Sequence, residues 1–75
     1  DPSYADAYIG RGYAYSDKKD YDLAFADFNQ AIKIDPSYAD AYVGRGYAYS
    51  DKKDYDLAIA DFNQAIKLDP NFALA

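Results

Sequence analysis

The sequence predicts an all-α fold, an α-solenoid built from antiparallel helix–turn–helix units, and three observations carry that reading. Residues Asp1–Ile34 and Asp35–Leu68 align without a gap and differ only at Ile9 against Val43, Phe25 against Ile59 and Ile34 against Leu68. Within each unit the apolar residues recur at three- and four-residue intervals, the helical period. An Asp-Pro step opens each unit and returns at Asp69-Pro70, and the residue before a proline avoids helical angles. The chain reads as one repeat domain, 1–75. Unit one is 1–34, unit two is 35–68, and 69–75 (DPNFALA) starts a third. Natural repeats drift apart, so units this alike point to recent amplification or deliberate design.

Each unit divides into the same elements. After Asp1-Pro2, Ser3 is placed to cap a helix, with Asp6 three residues on as a short capping-box acid. That helix is expected over about Tyr4–Asp17. The following DKKD, Asp17–Asp20, has no apolar anchor and reads as a tight turn. Asp20 can cap a second helix over about Tyr21–Lys33, with Asp22 favourable in its first turn, and Asp35-Pro36 stops it.

At 100° per residue the first helix has two stripes. One carries Tyr8, Arg11, Gly12 and Tyr15, flanked by Ala7 and Ala14, and reads as the packing side. The other carries Asp6, Ile9, Gly10, Tyr13 and Asp17. On the second helix Tyr21, Ala24, Phe25, Phe28, Ala31 and Ile32 form a broad apolar face on which large and small residues alternate. A glycine costs about 1 kcal/mol against alanine inside a helix. Gly12 is expected to repay that cost by admitting a neighbouring helix closely. An arginine on a packing stripe needs a counter-charge, because an unpaired buried charge is costly. Asp27 and Asp61, on the second helices, are the expected partners of Arg11 and Arg45.

Period and motif together resemble the tetratricopeptide repeat, whose pattern is W-x2-L-G-x2-Y, then A-x3-F, then P, in 34 residues. Unit one supplies Tyr8, Arg11, Gly12, Tyr15, Ala24, Phe28 and Pro36. Unit two supplies Tyr42, Arg45, Gly46, Tyr49, Ala58, Phe62 and Pro70. The resemblance covers the whole chain. Its departures are Tyr for the Trp and Arg for the Leu. It implies a right-handed superhelix and a non-enzymatic scaffold for protein–protein or peptide interaction, with first helices lining a concave groove. Carried onto this sequence, the groove residues are Asp6, Ile9, Gly10, Tyr13 and Asp17 with Asp40, Val43, Gly44, Tyr47 and Asp51, and Ser16 and Ser50 at the edge. An exposed Ile and Tyr edged by acids would suit an apolar or basic peptide. The Lys, Asn and Arg with which the family clamps a C-terminal carboxylate are replaced by aspartates, so no such clamp is expected.

Composition excludes other classes of function. The chain has no cysteine, no histidine and, since all 13 acids are Asp, no glutamate. Disulfides, thiol nucleophiles, His-based catalysis and the usual zinc sets are therefore excluded. A net charge of −5 is the wrong sign for tracking phosphates. No apolar run approaches a membrane span, and no signal-peptide pattern opens the chain. A soluble protein is expected, cytoplasmic if made without a leader; the missing initiator Met points to a fragment or to removal of a leader. Gly10-Arg11-Gly12 lacks the third glycine and preceding strand of a nucleotide loop. Asp17, Asp20 and Asp22 lack the EF-hand spacing and its closing Glu, and read as turn and cap acids, with Lys18 and Lys19 solvated beside them. No cofactor, metal or enzymatic activity is expected. Hydrophobic residues at 51% and aromatics at 19% are too abundant for a disordered segment.

The two ends carry a further expectation. A domain of this size buries only about 60% of its unfolded-chain surface, and solenoids want about three repeats. The last hairpin should expose an apolar face, and the first hairpin the surface that would receive it. Head-to-tail self-association into a continuing superhelix is the alternative to a dedicated ligand groove.

Overall fold

Four helices make up most of residues 2–71, the residues that the computed structural model describes, with side chains from residue 4 onward. They are α1 (Pro2–Asp17), α2 (Tyr21–Ile34), α3 (Ala39–Asp51) and α4 (Tyr55–Leu68), and no strand occurs among the described residues. The repeated hairpins are the α-solenoid architecture expected from sequence. Helix α1 lies against α2 and α3, α2 is wedged between α1 and α3, and among the described residues α4 packs on no helix but α3. The two first helices thus meet directly, whereas the two second helices do not.

The helix ends depart from the capping scheme read from sequence. Helix α1 starts at Pro2, so Ser3 is inside it rather than at its cap. At the corresponding point of unit two, Tyr38 occupies the N-cap of α3 without a side-chain bond. Ser37 instead turns back, its backbone N–H and its Oγ both donating to Asp35 Oδ1 at 3.1 and 2.8 Å. The short acidic side chain therefore organises the link, and the serine is spent on it. Asp20 and Asp54 sit at the N-caps of α2 and α4 but make no side-chain cap bond.

The DKKD turn closes by backbone bonding. Asp20 N–H donates to Tyr15 O and Lys19 N–H to Ser16 O, both at 2.9 Å, and Asp54 and Lys53 repeat the pattern on Tyr49 and Ser50. This is the Schellman arrangement, which needs a left-handed residue just past the helix. Lys19 (φ 67°) and Lys53 (φ 70°) take that conformation, where glycine would be unstrained.

One aromatic ring organises the core. Phe28 is 0% exposed and is surrounded by the buried Ala5, Ile9, Ala24, Ala31, Ala41 and Ala48. Its ring lies against two glycines on two different helices. A Cβ on Gly12 of α1 would fall 2.8 Å from the ring, and one on Gly44 of α3 closer still. Glycine is thus required twice by one phenylalanine, once within the unit and once across the junction. Phe62 has the first wall, Gly46, at the same 2.8 Å. It lacks the second and is only partly buried.

Candidate functional site

The repeat-signature residues form a polar clamp beside this core. Arg11 Nε and Nη2 donate to Asp27 Oδ2 and Oδ1, both at 2.8 Å. Arg45 donates likewise to Asp61 from Nε at 2.9 Å and from Nη2 at 2.8 Å. Asp27 and Asp61 are buried, so each carboxylate depends on this two-pronged, charge-assisted contact. The guanidinium of Arg11 also lies over the Tyr8 ring, 5.6 Å from its centroid, and near Tyr15 at 5.9 Å, and Arg45 lies over Tyr42 at 5.6 Å. Hydrogen bonding to Asp27, then its charge, hold Arg11 protonated well above the usual arginine range, and Asp61 does the same for Arg45. The arginine standing in the leucine position thus joins the two helices of a hairpin electrostatically.

Arg45 does more than Arg11. Its Nη1 donates to Asn29 Oδ1 at 2.7 Å, from unit two to unit one. Its side chain is 23% exposed against 59% for Arg11. At the same junction Phe25 stacks on Tyr49 with centroids 4.5 Å apart, and Lys52 Nζ lies 5.6 Å over the Phe25 ring. Sequence reading misses Asn29 and Phe25 as junction residues because a pattern internal to one unit does not show what the next unit brings. Sliding the second helix of one unit against the first helix of the next would have exposed both.

The ten residues proposed from sequence for the concave face do not all lie on one free surface. Asp6, Gly10, Asp17, Tyr47 and Asp51 are exposed, and Tyr13, Asp40 and Val43 are half-buried. Ile9 is buried at 5% within the Phe28 cluster, and Gly44 is buried beneath the Phe28 ring. The expectation that Ile9 and Gly44 line an exposed groove is corrected accordingly, since both residues are core. The physical reason is that a first helix meets more than one neighbour, so the side opposite the hairpin partner is not free along its whole width. Gly10 faces open space, with nothing within 4 Å of a Cβ placed there. Ser16 is buried and Ser50 half-buried.

What stays accessible is an aromatic strip edged by acids. Tyr13 meets Phe28 edge-on at 5.3 Å, and Tyr47 meets Phe62 edge-on at 5.2 Å. Burial, with the nearby Asp40 and Tyr47, pushes the Tyr13 hydroxyl up to about 12, so it remains a donor at neutral pH. Asp6 accepts the hydroxyl of Tyr38, which ties α1 to the start of unit two and raises the Tyr38 hydroxyl above its ordinary value. None of the eight cations lies on the strip. Arg11 and Arg45 are paired, Lys33 and Lys67 end α2 and α4, and Lys18, Lys19, Lys52 and Lys53 occupy the turns. Among the described residues there is no cluster of three metal-binding side chains, and no helix is long and apolar enough to cross a membrane.

Comparison with curated proteins gives no match. The tetratricopeptide repeat family model matches residues 5–38 and 39–72 in succession. Its two segments take in both glycine walls of Phe28, both Arg–Asp clamps and both hairpin turns. With the helical hairpins, the period and the match agreeing over most of the chain, this protein belongs to the tetratricopeptide repeat family, whose repeats generally serve as non-enzymatic protein-interaction scaffolds.

Proposed function

We propose that the strip formed by Tyr13, Val43 and Tyr47, edged by Asp6, Asp17, Asp40 and Asp51, is a recognition surface for a peptide or protein segment carrying cations beside apolar side chains. The observation that carries this reading is the charge pattern: aspartates from both first helices flank two aromatic rings, with no lysine or arginine among them. The rings offer apolar faces and the cation–π attraction available to Lys or Arg. The acids supply long-range attraction that salt weakens over about 8 Å at physiological ionic strength. Tyr47, 56% exposed, is the ring a ligand would cover most. No chemistry is assigned to the surface; its work is binding.

The test is a fluorescence-anisotropy titration with a labelled peptide alternating lysine and leucine, against an acidic peptide of the same length. Specific binding of the basic peptide, weakened by salt and by the pair Tyr47→Ala and Asp51→Asn with far-UV circular dichroism unchanged, is the expected result. Equal binding of the acidic peptide, or of the double variant, would remove the strip as the site.

A further inference from the structure

The junction inside the chain also supplies a template for a contact outside it. We propose that the exposed face of α4 receives helix α1 of a second copy of this chain, with Gly10–Tyr15 of that copy in the register in which Gly44–Tyr49 of α3 meet α2 within one molecule.

The two surfaces already exist in matched form. Helix α4 repeats α2 except at Ile59 and Leu68, and α1 repeats the α3 segment except at Ile9. Within the chain, α2 offers α3 the Phe28 ring for the Gly44 notch, Asn29 for Arg45 and Phe25 for Tyr49. On α4 the corresponding residues are Phe62, Asn63 and Ile59. Phe62 has one wall of glycine and no second, and Ile59 is 56% exposed. On α1 they are Gly10, Arg11 and Tyr15. Gly10 opens on empty space, and Arg11 keeps most of its side chain in solvent. Ala7 and Ala14 are exposed, whereas their counterparts Ala41 and Ala48 are fully buried by the junction. Apart from Phe25, which Ile59 replaces, the residues that meet at the inner junction thus recur at the two ends without the neighbour they have there.

In the second-copy contact, Phe62 takes Gly10 of the neighbour as its missing wall, Arg11 of the neighbour donates to Asn63, and Ile59 covers its Tyr15. The contact joins two different surfaces, so it does not close on itself and adds copies in one direction. It is also weaker than the template. Ile59 replaces Phe25, which removes both the 4.5 Å ring pair with Tyr49 and the lysine lying over that ring. Association is therefore concentration-dependent and graded. By the same template the contact half-covers Tyr47 and Asp6, whose counterparts Tyr13 and Asp40 are half-buried at the inner junction; its test measures mass without any peptide, so it stands or falls separately from peptide recognition.

Sedimentation of the full chain across a dilution series tests it with two variants. The wild type should exceed one chain's mass at high concentration and keep growing past two. Gly10→Ala places a Cβ where Phe62 of the next copy must enter, and should hold the chain at one copy. Because that Cβ meets nothing in the isolated molecule, its circular dichroism at low concentration should show an equal or firmer helix. Ile59→Phe restores the inner-junction ring and should tighten association roughly two- to tenfold, the worth of one aromatic pair. A wild type that remains one chain at every concentration, a mass that stops at two, or Gly10→Ala associating like the wild type would each overturn the proposal.

Discussion

Phe28 and Phe62 occupy the same place in two units that are nearly the same sequence, yet only Phe28 is a core residue in full. Both have a glycine of their own hairpin against the ring; Phe28 alone has a second glycine, Gly44, from the next unit. The difference shows that identical residues in a repeat are not equivalent residues. What a side chain contributes is set by whether a neighbouring unit supplies its other wall.

Truncation of the two rings should separate them most. Phe28→Ala is expected to cost about 3–5 kcal/mol, the range for emptying a well-packed site. Phe62→Ala should cost roughly 1–2 kcal/mol, because part of its ring is already in solvent. Urea unfolding followed by circular dichroism gives both, and equal values would dissolve the distinction. The glycines sharpen it further by changing the sign of the effect. Gly44→Ala forces a Cβ into the Phe28 ring and should cost about 1–3 kcal/mol. Gly10→Ala, at the matching position, meets open space and should gain up to about 1 kcal/mol from helix propensity. Melting temperatures at low concentration should move in opposite directions.

The smallest effect concerns Tyr13, and its sign follows from the raised hydroxyl. An ordinary tyrosine loses its proton near 10, whereas Tyr13 holds it up to about 12. The folded chain therefore favours the neutral ring. That stabilisation is fully present below pH 10 and is lost as pH rises through about 12. Tyr13→Phe should flatten the decline in stability over this window, and an unchanged alkaline limb in the variant would show that Tyr13 does not cause it.

Much of the architecture is legible in the sequence because it rests on interactions within one unit. The helical period, the Asp-Pro stops and the DKKD turn are local. The reach of Arg11 to Asp27 is readable because a charge on a packing stripe demands an opposite charge on the partner helix. The site is only half legible. A helical wheel divides α1 into a packed and a free side, but α3 touches three other helices and α1 touches two. Ile9 and Gly44 therefore fall into core that a two-sided wheel assigns to the surface. The caps are misread for a smaller reason: Ser37 could accept from the N–H groups that open α3, but its hydroxyl and its N–H both donate to Asp35, two residues back. The left-handed lysines follow from the backbone bonding of the turn, and nothing in a lysine announces them.

The shared ring also fixes how the molecule comes apart. Because Phe28 is walled by α1 and α3 together, neither helix can leave without opening the same cavity. The first three helices are consequently bound into one cooperative block, while among the described helices α4 is attached only to α3. Fraying should begin at α4, and amide exchange should show its protons lost first while those around Phe28 persist until the whole chain opens. The unit that unfolds is then one helix longer than the unit that repeats.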